Sequence, residues 1–211
     1  MRQPRTTRTR NAEDSKERIL RAATKLFAKS GFDGARVDEI AKAAKINKQL
    51  IYHHFGNKDK LFTAVLEQAY RSIREQEAAL DLSGLHADEA VLSLVEFTWK
   101  YYLANPDFIR LLNSENQLEA RHLKGSPNTR SINKSHMVLM ESLIARGKKE
   151  KRIRPDLEPM QLSINISALG FFYLMNRHTL STVFERDLTS PRHLAKRLEG
   201  MKDLISRWIR P

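Results

Sequence analysis

The chain has 211 residues, of which 41% are hydrophobic and 29% charged, a composition typical of one compact soluble domain or two small ones. It contains no cysteine, which excludes a disulfide scaffold, a thiolate nucleophile and any cysteine-ligated metal site. Because no run of about 18 apolar residues occurs and the basic N-terminus lacks an apolar core, we expect no transmembrane helix, no secretory signal and no membrane partner, and hence a cytoplasmic protein.

The charge is strongly basic and unevenly distributed. The 37 Lys and Arg exceed the 25 Asp and Glu and give a net charge of +12. Residues 1–60 hold 15 of these bases against 7 acids, so two thirds of the excess lies in less than a third of the chain. An excess of this kind favours a polyanionic partner such as nucleic acid, although a generally basic protein is the alternative.

Residues 1–13 are predicted to form a disordered basic arm, because residues 1–11 carry four arginines, no acid and no apolar periodicity. Such an arm either lies along phosphates or a minor groove, or only keeps the chain in solution. Asp14 is expected to cap the first helix, with Glu17 completing a capping-box-like pattern, and Gly31 is expected to end it.

Three further helical segments follow in close succession. Apolar residues at helical spacing predict a short helix over 37–44, Asn47 is suited to cap a second short helix, and Asn57 a long one that runs to about Leu80. Helices this short are not stable alone. Joined by a tight turn and braced by the first helix, they form a helix-turn-helix, so we predict a DNA-binding domain over residues 14–60.

The remainder of the chain, residues 61–211, is also predicted to be helical. Its helical segments are expected at about 87–103, 106–123, 131–149, 160–177 and 191–209. Neither an alternating strand pattern nor an internal repeat occurs. The predicted fold is therefore all-α, with about nine helices.

The most specific motif is Ile51-Tyr-His-His-Phe55 followed by Lys58 and Leu61, preceded by Val37-Asp-Glu-Ile-Ala-Lys-Ala-Ala44. With these motifs, residues 15–66 resemble the DNA-binding domain of the TetR family of transcriptional regulators. The resemblance implies that residues 61–211 form a helical domain for dimerisation and ligand binding. It also implies a transcriptional regulator, most simply a repressor that binds a palindromic double-stranded DNA operator as a homodimer. An unknown small-molecule effector would release it, and no cofactor is expected.

The DNA-contact candidates follow from this resemblance and from the way in which a helix reads the major groove. Because the N-terminal residues of a recognition helix face base edges, Gln49 is expected to pair with adenine, Lys48 to approach guanine or a phosphate, and Leu50 to touch a thymine methyl. An exposed Gln49 with no base contact is the alternative. The other candidates, expected to contact DNA or to brace the recognition helix, are Arg36, Tyr52, His53, His54 and Lys58.

Three positions depart from the family pattern. Arg36 stands where Thr is usual, which loses a capping hydroxyl and gains a cation that attracts phosphate. Lys45 stands where the turn usually has Gly, so the turn is expected to be altered or strained, because Lys tolerates a positive φ poorly. Gln49 and Leu50 replace smaller residues, which indicates a distinct operator sequence.

The helical domain offers candidates for a dimer interface and for a ligand pocket. Segment 160–176 is apolar on more than one face, so a partner chain beside segment 191–209 is expected, with an entirely intramolecular core as the alternative. The dimer candidates are Ile164, Ala168, Phe171, Met175, Leu204 and Trp208. The ligand candidates, for which plain core packing is the alternative, are Trp99, Tyr102, Phe108, Leu112, Asn116, Met137, Met140, Phe172, Tyr173 and Asn176.

An enzyme is not expected, because the sequence has no HExxH, P-loop or GxSxG motif. Glu119-x-x-His122 stands without the second such pair that a di-iron bundle needs, so no metal is expected. The runner-up hypothesis is a helical ligand-binding protein or bundle enzyme with a basic N-terminal module. Segment 191–209 also has the basic amphipathic form of a membrane-surface helix, a pattern that an exposed dimer helix shares.

Overall fold

The computed structural model describes the backbone of residues 7–211 and the side chains from residue 12 onward. Within this range the chain is helical without strands, which confirms the predicted all-α fold. Its eleven helices in residues 7–211 are α1 (Thr7–Gly34), α2 (Val37–Ala44), α3 (Lys48–Phe55), α4 (Lys58–Ala78), α5 (Ala87–Ala104), α6 (Pro106–Gln117), α7 (Arg121–Lys124), α8 (Thr129–Lys149), α9 (Pro159–Met175), α10 (Arg177–Val183) and α11 (Pro191–Ile209).

The first helix begins earlier than its predicted cap. α1 starts at Thr7, so the prediction of a start at Asp14 is wrong, and residues 7–13 of the predicted arm are helical. This segment contains no Gly or Pro, and its Arg, Ala and Glu are good helix formers, so nothing in it stops the helix. Residues 1–6 of the predicted arm lie outside the described residues.

The predicted helix over 106–123 is two helices rather than one. α6 ends at Gln117, because Glu119 and Ala120 adopt left-handed backbone with φ of 55° and 57°. The Glu115 carboxylate then accepts hydrogen bonds from the backbone N–H groups of His122 and Leu123, at 2.7 and 2.9 Å, and so caps α7. The other unpredicted helix, α10, follows α9 directly after Asn176.

The described residues divide into two compact units. The first unit contains the described residues up to Ala69 together with Arg110–Thr129, and the second contains Tyr70–Ile109 together with Arg130–Pro211. α4 and α6 each continue from one unit into the other. Segment 110–129 therefore packs with α1–α3, whereas the predicted division at residue 60 assigned it to the helical domain; the predicted domain boundaries stay a prediction.

The core of the first unit is built from one face of each short helix. Phe27 and Phe62 are fully buried and meet edge to face with ring centroids 4.8 Å apart. Ile40 of α2 and Ile51 of α3 pack into the same cluster, which Leu111 completes from segment 110–129. Each such side chain contributes about 1.5–3 kcal/mol through burial, which is what stabilises helices of only eight residues.

The core of the second unit is centred on α5, against which α9 and α11 pack. Gly170 allows α9 to approach α5 closely, because a Cβ atom at this position would lie 3.2 Å from the ring of Tyr102 on α5. Trp99, only 2% exposed, is the largest fully buried side chain of this core. None of the helices within residues 7–211 combines the length and the hydropathy needed to span a membrane.

Candidate nucleic-acid interface

The turn between α2 and α3 keeps its left-handed residue although that residue is lysine. Lys45 adopts φ 53° and ψ 50°, a conformation that costs a non-glycine residue about 1 kcal/mol. Arg18 of α1 supports the turn, because its Nη2 donates to the carbonyl oxygens of Ala44 and Lys45 at 2.7 and 2.8 Å. No local sequence pattern indicates this role, since Arg18 lies more than 20 residues from both acceptors.

α3 presents a polar face outward. Asn47 caps the helix as predicted, with its Oδ1 accepting from the Gln49 N–H at 2.9 Å. Ile51 and Phe55 point into the core, so Gln49, Tyr52 and His53 are left exposed, while Lys48, Leu50 and His54 are partly exposed. The face can therefore offer an amide, a phenol and two imidazoles to a partner.

Lys48 is held by a neighbour that sequence analysis did not identify. Its Nζ lies 2.8 Å from a carboxylate oxygen of Asp38 on α2, and this hydrogen bond raises the pKa of Lys48. The same ammonium lies 6.0 Å from the centroid of the Tyr52 ring. Arg36 at the N-cap of α2 is exposed and caps no backbone group, as expected from the missing hydroxyl.

The last DNA-contact candidate, Lys58, is the first residue of α4, which follows α3 closely in the chain. Asn57 caps α4 by accepting from the Lys60 N–H at 2.8 Å. Lys58 folds over the Phe32 ring, with its Nζ 4.7 Å from the centroid and 3.3 Å from the Asp33 carbonyl oxygen. These two contacts hold the Lys58 ammonium in place, and its remaining N–H groups can still donate to an anion.

His54 has an unusual environment on this surface. Its Nε2 is buried and has no hydrogen-bond partner among the described residues. Burial lowers the pKa of His54, and the neighbouring charges of His53 and Lys16 lower it further. Both effects favour the neutral imidazole over the charged one.

Segment 110–129 contributes a buried polar cluster to the first unit. His122 Nδ1 lies 2.7 Å from Glu115 Oε2, and its ring packs against Phe32 and Phe62 with centroids 4.6 and 4.8 Å away. Ser114 Oγ accepts the Phe32 N–H at 3.1 Å. The carboxylate partners of His122 are thus Glu115 and, 3.3 Å from its Nε2, Asp59, rather than Glu119. No group of three or more side chains that could hold a metal ion occurs in the described part of the chain.

The predicted ligand residues are not gathered around one cavity. Leu112 and Asn116 belong to the first unit, and the others to the second. Tyr102 stacks on Phe108 with centroids 5.7 Å apart, and Trp99 meets Tyr173 at 5.7 Å. In the second unit, the side chains of Trp99, Tyr102, Phe108 and Met140 are buried, those of Met137, Tyr173 and Asn176 are half-buried, and that of Phe172 is exposed.

An apolar groove lies between α9 and α11. It has a volume of about 410 Å³, and Ala168, Leu204 and Trp208 of the predicted dimer residues line it. Leu204 and Ile164 are 51% and 50% exposed, whereas Phe171 and Met175 are half-buried. Arg197 also lines the groove; burial lowers its pKa, and its Nη2 donates to the Leu169 carbonyl at 2.8 Å.

Comparisons with known proteins identify both parts of the chain. Residues 19–65 match the family of bacterial regulatory proteins of the tetR type, and residues 88–205 match the C-terminal domain described as tetracyclin repressor-like. The transcriptional repressor NicS of Pseudomonas putida is 36% identical over 203 residues, covering 96% of each chain.

Solved structures share the fold. A transcriptional regulator of Streptomyces coelicolor superposes with a TM-score of 0.72 at 21% identity, over 93% of this chain and 99% of that one. FadR of Bacillus subtilis, solved with stearoyl-CoA, superposes with a TM-score of 0.69 at 17% identity, over 92% and 98% of the two chains. The family matches and the full-length relative establish the class: the chain is a transcriptional regulator rather than an enzyme and belongs to the TetR family.

Proposed function

We propose that this protein is a homodimeric repressor that binds a palindromic DNA operator through α3 and is released by a small-molecule effector. It would act in the cytoplasm, where the DNA of a bacterium lies. The full-length relative NicS is named as a transcriptional repressor, which supports repression rather than activation.

The observation that carries the proposal is the outward polar face of α3. This helix is capped by Asn47 and anchored by Ile51 and Phe55, so its exposed side chains have a fixed direction. A helix presented in this way fits the major groove, where Gln49 has the donor and acceptor pair that recognises adenine. Lys58 and Arg36 lie at the N-terminal ends of α4 and α2, where backbone N–H groups also favour a phosphate.

Dimerisation is supported by the apolar groove between α9 and α11. Leu204 and Phe172 leave more than half of their side chains exposed there, although large apolar patches are rare on monomers. A second copy packed on this face by two-fold symmetry would link two DNA-binding units, each with its own α3. Half-sites about 34 Å apart, one turn of DNA, require such a pair.

Release by an effector is supported by two observations. FadR of Bacillus subtilis, which shares the fold, was solved with a bound small molecule. α4 is one uninterrupted helix from the unit that carries α3 into the second unit, so a ligand that favours one conformation of the second unit can change DNA affinity.

Selection of bound sequences from a random duplex pool, followed by footprinting, tests the proposal. An enriched palindrome protected over two half-sites is expected, with affinity that falls steeply as salt rises because phosphate contacts release counterions. A folded protein that enriches no sequence and binds no duplex would contradict it.

Two substitutions separate base recognition from phosphate binding. Gln49→Ala is expected to relax the preference at one base pair of each half-site, at a cost of about 1–3 kcal/mol for the selected base. Lys58→Ala is expected to weaken specific and non-specific DNA alike and to lower the salt slope by about one. If Gln49→Ala lowers the affinity for every DNA sequence equally, Gln49 does not recognise a base. If Lys58→Ala leaves the affinities for specific and non-specific DNA unchanged, Lys58 does not bind a phosphate.

A further inference from the structure

A buried polar cluster in the second unit has no part in the interface described above. Arg74 Nη1 donates to both carboxylate oxygens of Glu77, at 3.1 and 2.9 Å. His136 Nδ1 lies 2.9 and 3.0 Å from the same two oxygens, and its Nε2 lies 2.7 Å from Ser163 Oγ. The Arg74, Glu77 and His136 side chains are only 14%, 5% and 16% exposed, so the cluster lies largely out of water.

One edge of the Arg74 guanidinium is left unused by this cluster. Glu77 is satisfied by two donors at each oxygen and occupies only Nη1 of the arginine. The Nε atom is buried and has no hydrogen-bond partner among the described residues. An unpaired buried N–H is costly, whereas the Nε–H and Nη2–H groups together form the planar fork that binds a carboxylate with two parallel hydrogen bonds.

Arg74 and Glu77 also line a cavity. Its volume is about 360 Å³, which lies within the range of small-molecule pockets. Much of its wall is apolar and comes from Leu80, Leu82, Val138 and Leu139. The cavity thus combines apolar walls with the paired Arg74 and Glu77 side chains, and a few polar groups among apolar walls are the mixture that holds and orients a small amphipathic molecule.

The surroundings strengthen the electrostatic part of this site. Burial raises the pKa of Tyr102 and of the neighbouring Tyr101, which indicates a poorly hydrated interior around these two phenols. The Arg74 charge acts on both phenols and opposes that rise. In such an environment a charge-assisted hydrogen bond is stronger than at the surface.

We propose that this cavity is the effector site and that its ligand is a small monocarboxylate with a compact apolar body, bound by the free edge of Arg74. The inference rests on the effector-responsive function proposed above and names the chemistry of that effector. Glu77 and His136 act as positioning residues, because they fix the guanidinium plane through Nη1. No local sequence pattern indicates this site, because its residues come from α4, the loop after it, α8 and α9, which lie far apart in the chain.

Calorimetric titration of the DNA-free protein tests the site, with benzoate and hexanoate as probes and benzamide and hexanamide as matched neutral controls. The carboxylates are expected to bind and the amides to bind at least about tenfold more weakly, because the amides lack the charge. Absence of carboxylate binding, or equal binding of the amides, overturns the proposal.

Variants assign the binding to this cavity. Arg74→Lys keeps a positive charge beside Glu77 but removes the fork, and is expected to weaken carboxylate binding by about tenfold or more. Val138→Trp fills the cavity from a position that is 53% exposed and removes no member of the polar cluster, and it is expected to block binding. If both variants bind carboxylate as the unmodified chain does, the proposed site is wrong.

Arg152→Met is the matched control, because Arg152 Nη1 makes a similar two-oxygen contact with Asp88, at 3.2 and 3.1 Å, but at the surface. It is expected to leave carboxylate binding unchanged, and a loss equal to that of Arg74→Lys would point to general arginine effects and overturn the assignment. The two proposals fail separately: carboxylate binding without operator selection contradicts the repressor, and operator binding without carboxylate binding contradicts only the site.

Discussion

Arg36 occupies the N-cap of α2 without capping it, since its side chain makes no hydrogen bond to the helix. Residues with a short oxygen-bearing side chain at this position stabilise a helix by about 1 kcal/mol. We expect Arg36→Thr to raise the free energy of unfolding by about that amount and to weaken DNA binding, because an exposed cation is lost. Urea denaturation and titration with operator DNA measure the two effects.

Asn47→Ala provides the opposite control for this cap. Asn47 accepts the Gln49 N–H at the start of α3, so its removal is expected to lower the free energy of unfolding by about 1 kcal/mol. If Asn47→Ala destabilises the chain while Arg36→Thr leaves its stability unchanged, the missing cap is not what limits α2.

His54 should make stability depend on pH. Its pKa is lowered from 6.5 in the folded chain, mainly by burial, so the unfolded chain binds a proton more readily than the folded one. The stabilisation by the neutral imidazole is present above pH 6.5 and is lost as the pH falls through the folded pKa. We therefore expect the unmodified chain to lose more stability than His54→Gln between about pH 7.5 and pH 5, as measured by urea denaturation. Parallel losses in both chains would exclude His54 as the cause.

At the scale of elements, the break between α6 and α7 depends on one carboxylate. Glu115 accepts two backbone N–H groups and contacts His122, and the two side chains are only 2% and 3% exposed. Removing one partner of a buried pair leaves the other unsatisfied and typically costs about 3–5 kcal/mol. We expect Glu115→Ala to lower the free energy of unfolding by about this amount in a urea titration.

The matched control for this element is Glu119→Ala. Glu119 is the acid of the E-x-x-H pattern, but it is exposed and His122 is paired with Glu115 instead. Its removal is expected to change stability by less than about 0.5 kcal/mol. A larger loss for Glu119→Ala than for Glu115→Ala would contradict the pairing.

Most elements were predictable because each leaves a local signal in the sequence. Helical spacing of Val37, Ile40 and Ala44 gave α2, and the caps Asn47 and Asn57 gave the starts of α3 and α4. The early start of α1 and the division of α6 from α7 left no such signal. In the second case the capping carboxylate lies seven residues from the nearer of the two N–H groups that donate to it, at a spacing that no helix pattern contains.

At the scale of the whole molecule, contacts within a helix were predictable, but long-range groupings were not. Nothing in the composition of segment 110–129 shows that it packs with α1–α3, so Leu112 and Asn116 were grouped with residues of the other unit. Likewise, His136 is 59 residues from Glu77, and neither residue has a pattern that points to the other. Such groupings depend on how helices pack, which periodicity alone does not determine.

Dimerisation is the property of the whole molecule on which operator binding depends, and Leu204 is the residue that tests it. This side chain is 51% exposed and lines the groove between α9 and α11, so it would be buried by a second copy. We expect Leu204→Glu to weaken dimerisation by at least about a hundredfold, because an unpaired carboxylate would be buried in an apolar contact. Sedimentation equilibrium measures the dissociation constant, and loss of affinity for a full palindrome with retained weak half-site binding is the expected consequence on DNA.

Val183→Glu is the matched control for this dimer test, because Val183 is also an exposed apolar side chain, at 73%, but lies on α10 and lines neither the groove nor the effector cavity. It is expected to leave both the dissociation constant and the binding of the palindrome unchanged, since its new carboxylate stays in water. If Leu204→Glu remains as dimeric as the unmodified chain, the partner does not cover this groove. The two DNA-binding units must then be linked through another surface, because a palindrome with half-sites one turn apart still requires two linked copies of α3.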